Sequence, residues 1–158
     1  PTPVAGDGRV IVISGFRGAA LQVIRLGGSG DLAGTDSVVW THNKSTPYVP
    51  SPLLYGSHLY FFAGNNALLS IFDAATGKPG VEAERLNGIT GVYASPVGAA
   101  NRVYLLGRDG GALVLRNGLQ VDVLATNKLD DGFDASPAAV GRELFLRGRE
   151  NLYCIAEP

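Results

Sequence analysis

Apolar residues in this chain gather in short runs that recur in pairs. VIVIS (10–14), LYFFA (59–63), VYLL (103–106) and LFL (144–146) are each followed by a glycine-bearing turn and a second run. The second runs are ALQVIRL (20–26), ALLSIF (67–72), ALVLR (112–116) and NLYCIA (151–156). Three more polar segments, SVVWTH (37–42), VEAERL (81–86) and VDVLAT (121–126), close the first three pairs. Short small-residue segments such as 52–55 and 137–140 precede the pairs across polar turns. Runs this short, bounded by Gly, Asn and Asp, predict β-strands, and no stretch holds a helical period over three turns.

Two landmarks fix the register. Ser-Pro occurs at Ser51-Pro52, Ser95-Pro96 and Ser136-Pro137, with Thr2-Pro3 as a variant, so the prolines lie 49, 44 and 41 residues apart. Gly15, Gly64, Gly107 and Gly148 follow them at offsets of 12, 12, 11 and 11. Each glycine is expected to open a hairpin where positive φ is cheap. A period in the forties with four strands per unit is the grammar of a β-propeller blade. The chain is therefore expected to be all-β, a single propeller segment of four-stranded antiparallel blades. Its units are approximately 1–49, 50–93, 94–134 and 135–158, the last one incomplete. About four blades make half of a probable eight-bladed ring. A half ring leaves apolar blade faces at both ends, so the chain is expected to pair with another copy of itself or with the missing upstream blades of its parent.

Composition narrows the partners. The chain has 158 residues, 46% hydrophobic and 17% charged, with a net charge of −1. That excludes disorder and gives no basic field for nucleic acid. No apolar run approaches the roughly 18–20 residues that span a bilayer. Cys154 is the only cysteine, which excludes an internal disulfide and a cysteine zinc cluster, and its apolar run predicts a buried thiol. The chain opens at Pro1 with neither Met nor a signal peptide, as expected of a processed form or an excised fragment.

GGSGDLAGTDSVVW (27–40), YVPSPLLYGSHLYFF (48–62), DAATGK (73–78), YASPV (93–97) and the ending LYCIAEP (152–158) carry a family likeness. With them the whole chain resembles the quinoprotein-like, PQQ-binding-like propeller repeat proteins of bacteria, and their C-terminal portion in particular. The resemblance implies an exported protein, periplasmic or extracellular. Catalytic members are alcohol or sugar dehydrogenases that use pyrroloquinoline quinone and calcium, and their blades carry A-x-D-x-x-T-G-K-x-x-W. Here Asp73, Thr76, Gly77 and Lys78 match, but Val81 stands at the tryptophan position, RNGLQVDV (116–123) lacks the motif, and Trp40 lies in a fourth strand. The resemblance thus favours a non-catalytic scaffold for protein or ligand binding, with no cofactor. The alternative is the C-terminal part of a PQQ-dependent dehydrogenase, under which PQQ and calcium would enter.

Candidate chemistry concentrates before each Ser-Pro. NKSTPYVP (43–50), NGITGVYA (87–94) and DDGFDA (130–135) are expected to cross one face of the disc by the channel mouth. Tyr48, Tyr93, Asp130, Asp131, Phe133 and Asp134 would then ring a funnel able to receive a sugar, a peptide or a cation. The competing reading packs the aromatics between blades and uses the aspartates as turn caps. DDGFD lacks the alternating ligand pattern and closing Glu of a calcium loop. GGSGDLA (27–33) mimics a dinucleotide fingerprint, but a strand and not a helix is expected after it. His42 and His58 lie in different units and are expected to be solvent-exposed, and the scattered arginines, Arg108 and Arg149 among them, read as a solubilising surface.

Overall fold

A computed structural model describes residues 1–156; the last two residues of LYCIAEP lie outside the described residues. Among the described residues fifteen strands form four separate antiparallel sheets. The first contains β1 (Val4–Gly6), β2 (Arg9–Ser14), β3 (Ala20–Arg25) and β4 (Val38–His42). The second contains β5 (Leu53–Tyr55), β6 (His58–Phe62), β7 (Leu68–Asp73) and β8 (Pro79–Arg85). The third contains β9 (Val97–Ala99), β10 (Arg102–Leu106), β11 (Gly111–Arg116) and β12 (Val123–Lys128). The fourth contains β13 (Ala138–Val140), β14 (Glu143–Arg147) and β15 (Leu152–Ala156), so β15 is an edge among the described residues.

Every sheet is a meander in chain order, and the short first strands lie side by side as β1, β5, β9 and β13. The sheets are thus blades set around an axis. The third-to-fourth pairing carries a bulge in each complete blade, which turns the outer strand away from its neighbour.

Alternation along the second and third strands builds the joints. Ile11, Ile13, Leu21 and Val23 of the first blade bury against Leu59, Phe61 and Phe72 of the second. On the second blade's other face, Tyr60, Phe62, Leu69 and Ile71 meet Val103, Leu105, Leu113 and Leu115. Leu106, Phe133, Ala94 and Leu146 form the third joint. Consecutive residues of β6 point to opposite faces, and both faces are covered, so Leu59 to Phe62 are all fully buried.

The Ser-Pro landmark acquires a physical reason. The Thr2 N–H donates to Ser51 Oγ at 2.8 Å, the Ser51 N–H to Ser95 Oγ at 2.9 Å, and the Ser95 N–H to Ser136 Oγ at 2.9 Å. One hydroxyl per blade therefore fastens each inner strand to the one before it.

The landmark glycine differs from expectation. Only Gly64 of the four has a positive φ, 59°. At Gly15 a Cβ would drive into the carbonyl oxygens of Pro47 and Thr46, and at Gly148 into the Asp131 carboxylate. Close approach of the interblade loop excludes a side chain there.

Candidate functional site

Each interblade loop is latched to the hairpins between second and third strands. The Tyr48 N–H donates to Gly64 O, the Val92 N–H to Asn65 O, and the Arg149 N–H to Gly132 O. The three loops and four hairpins consequently lie at one end of the blades. The residue after each landmark glycine reaches toward a loop: Phe16, Asn65, Arg108 and Arg149.

The structure divides the six candidates. Tyr48 is exposed and stacks on Phe16 with ring centroids 5.1 Å apart, and Val49 beside it is exposed as well. Tyr93 is half-buried beneath the Arg108 guanidinium, 4.2 Å from its ring centroid. Arg108 Nε also donates to Asp134 Oδ1 at 2.5 Å, and Arg149 Nε to Asp134 Oδ2 at 3.3 Å. Tyr93, Arg108, Asp134 and Arg149 thus form a row across the third and fourth blades. Partial burial alone would raise the Asp134 pKa, but Arg149 and Arg108 hold it below the usual carboxylate value. Asp130 is exposed.

Two candidates need correction. Phe133 is fully buried with Leu106 and Leu146, edge-on to Tyr153 at 6.0 Å, and cannot face a ligand. Asp131 is a structural latch. Its carboxylate accepts N–H bonds from Gly132 (2.7 Å), Arg149 (2.9 Å), Asn151 (3.0 Å) and Glu150 (3.3 Å), and the Tyr153 hydroxyl at 3.3 Å. Partial burial pushes its pKa up, but the N–H bonds from Gly132, Asn151, Glu150 and Arg149 outweigh that and hold it at about 2. A folded value below the unfolded 3.8 means the latch stabilises fully above about pH 4 and is lost as pH falls toward 2. Asp131→Asn should therefore melt lower than the parent at pH 7, with the gap closing between about pH 4 and pH 2. Thermal melts across that range check it; a gap that persists at pH 2 would assign the effect to shape and not charge.

Arg108 and Arg149, read from sequence as a solubilising surface, hold the loop carboxylate. Their shared place after the landmark glycine was the available signal. Both histidines are half-buried and not exposed. His42 packs edge-on to Phe72 at 4.9 Å, and its Nε2 is buried without a hydrogen bond. His58 Nδ1 lies 3.1 Å from Asn117 Oδ1, and its Nε2 is 3.5 Å from Ser57 Oγ at the opposite end of the blades. That order imitates a hydrolase relay, but Asn117 Oδ1 already accepts the Tyr60 hydroxyl at 2.7 Å. Cys154 is exposed on the open face of the fourth blade, not buried. GGSGDLA is an irregular exposed loop leading into β4, as expected.

DAATGK forms a turn in which Asp73 Oδ1 accepts the Thr76 N–H (2.8 Å) and hydroxyl (2.7 Å). Trp40 of the preceding blade lies on Gly77, where a Cβ would strike the indole, and its Nε1 donates to Ala74 O at 3.1 Å. A tryptophan does dock between blades, supplied by the blade before the TGK turn. The donor set does not fit calcium. Asp131 is occupied by backbone N–H groups and Asp134 by guanidiniums, and among the described residues no three His, Cys, Asp or Glu side chains converge.

No family profile matches the chain, and no curated protein matches it. Solved structures do. BamB from Moraxella catarrhalis superposes with a TM-score of 0.67 at 16% identity, over 94% of this chain and 43% of that one. The computationally designed Ika4 protein gives 0.71 at 13% identity, over 98% and 88%. A europium-containing methanol dehydrogenase gives 0.60 at 12% identity, over 84% and 25%. The fold is that of a β-propeller segment. At these identities the likeness extends to the fold alone. The chain spans less than half the length of BamB and most of Ika4. No helix among the described residues is long and apolar enough to cross a membrane.

Proposed function

We propose that this propeller segment is a non-catalytic binding scaffold, working outside the cytoplasm, that becomes a full ring by pairing with a second copy of itself. The serine ladder carries the reading. It runs through all three joints and ends with the Ser136 N–H unpartnered among the described residues and the Thr2 hydroxyl open at the other end. A second copy placed head to tail presents Thr2 to Ser136 twice, and both ends are satisfied.

The terminal faces support the same arrangement. Val12 is 41% exposed, whereas Phe61 and Leu105, which hold its place in later blades, are 0% and 1% exposed. Leu152 is 72% exposed where Leu21 and Leu69 are both at 0%. Cys154 takes the place of Val23 and Ile71, both fully buried. Exposed positions that the repeat buries elsewhere are joint surface without a neighbour. In such a ring the Phe16–Tyr48 platform and the Arg108–Asp134–Arg149 row would each occur twice around the rim, as apolar and charged docking points.

Sedimentation of the purified chain tests the ring. The expected species is twice the chain mass of 16.5 kDa, with the Cys154 thiol slow to react with a maleimide. A single-chain mass at tens of micromolar with a freely reactive thiol would overturn it.

A further inference from the structure

Ser57, His58 and Asn117 meet at the end of the blades away from the rim, where the second blade joins the third. The repeat does not require them. Ser57-His58 is matched by Gly8-Arg9, Asn101-Arg102 and Arg142-Glu143 in the other blades, none of which pairs a hydroxyl with an imidazole.

Hydrogen bonding fixes the tautomer of His58. Asn117 Nδ2 donates to Asn101 Oδ1 at 3.3 Å, which turns Asn117 Oδ1 toward the imidazole, 3.1 Å from Nδ1. That oxygen can only accept. The Tyr60 hydroxyl occupies one of its lone pairs, and the second remains for His58. In the neutral ring Nδ1 therefore carries the proton. Nε2 presents its lone pair to Ser57 Oγ at 3.5 Å, the loose spacing usual before a substrate binds. Asp73 stands directly opposite His58 in the β6–β7 ladder and places a carboxylate on the same side of the sheet.

Ser57 also borders a cleft of about 50 Å³ between the first and second blades, lined by Arg9, Ile11, Val23, Leu54 and Ala74 among others. Room of that size takes an acetyl group and excludes a long acyl chain. The Ser57 N–H has no hydrogen-bond partner among the described residues and can hold a carbonyl oxygen.

We infer that Ser57 is an acyl-acceptor site, taking one short acyl group from an activated ester. Ser57 Oγ forms the new C–O bond, and its proton passes to His58 Nε2. The ester's own C–O bond breaks, and the leaving oxygen takes that proton. Asn117 is a positioning residue that holds the ring in the tautomer with its lone pair on Ser57. One transfer per chain is expected, so the site adds a modification to the scaffold and not a turnover. It uses none of the surfaces that close the ring.

The full chain mixed with p-nitrophenyl acetate tests the assignment. One acetyl group should map to Ser57 by peptide mass. Ser57→Ala, a change on an exposed turn, should remove that group and keep the melting temperature. His58→Gln should slow acylation of Ser57 by about a hundredfold or more. Asn117→Asp, which keeps an acceptor opposite Nδ1, should retain the reaction, whereas Asn117→Leu should slow it. p-Nitrophenyl decanoate should acylate Ser57 far more slowly than the acetate does. Acetyl groups on lysines or Cys154 with Ser57 unmodified would overturn the proposal, and so would an unchanged rate at Ser57 in the His58→Gln chain.

Discussion

Phe133→Ala should lower the unfolding free energy by about 3–5 kcal/mol, the cost of emptying a buried aromatic site. Phe133 is fully buried, and it closes the joint between the third and fourth blades with Ala94, Leu106 and Leu146. The neighbouring loop cannot collapse into the space, because Asp131 and Gly132 on one side are latched to the Arg149–Asn151 hairpin. Phe133→Leu, which keeps most of the volume, should cost less than half as much. Tyr48 holds the same place before its Ser-Pro but is 45% exposed, so Tyr48→Ala should change stability by less than about 1 kcal/mol. Denaturant titrations of the three variants check the set. Equal midpoints for Phe133→Ala and the parent would restore Phe133 as a ligand candidate.

The contrast between Tyr48 and Phe133 marks where the sequence stops being legible. Repeat period, blade count and strand order follow from landmarks that recur every forty-odd residues, and the strands match within two residues. Bulges account for the larger shifts, since β8 begins at Pro79 and β12 at Val123. The fate of a loop side chain is set by a different blade. Tyr48 stays outside because Phe16, thirty-two residues earlier, offers a stacking face. Phe133 goes inside because the fourth blade brings Leu146 over it. Asp131 looked like ligand chemistry in an acidic run, and its partners are backbone groups of Arg149, Glu150 and Asn151, which no side-chain pattern announces. The Ser-Pro repeat was visible as a motif. That its hydroxyls bridge residues 41 to 49 positions apart is visible only once the inner strands are side by side.

Val12→Asp should convert the paired ring to single chains. In an isolated chain Val12 is 41% exposed, so a carboxylate there stays hydrated and the melting temperature of the single chain moves little. Closing a joint over it is a different matter. Its counterparts Phe61 and Leu105 are sealed among Leu59 and Phe72 or Leu113 and Leu115. Arg147 lies directly opposite Leu152 in the β14–β15 ladder and so shares its open face, which gives the carboxylate one partner; exchanging an apolar contact for such a pair should still cost about 1–2 kcal/mol per joint, and with two joints pairing should weaken by about a hundredfold. Leu152→Asp attacks the opposite face of the same joint and should act the same way. Thr2→Val is the finer probe: it preserves shape, removes the acceptor for Ser136, and should weaken pairing about tenfold per joint. Comparison of the three variants separates the causes, because a ring held by the faces alone would be indifferent to Thr2→Val. Sedimentation equilibrium at a series of concentrations reads all of them, and a Val12→Asp chain that still sediments at the parent's paired mass would place the contact surface elsewhere on the blades.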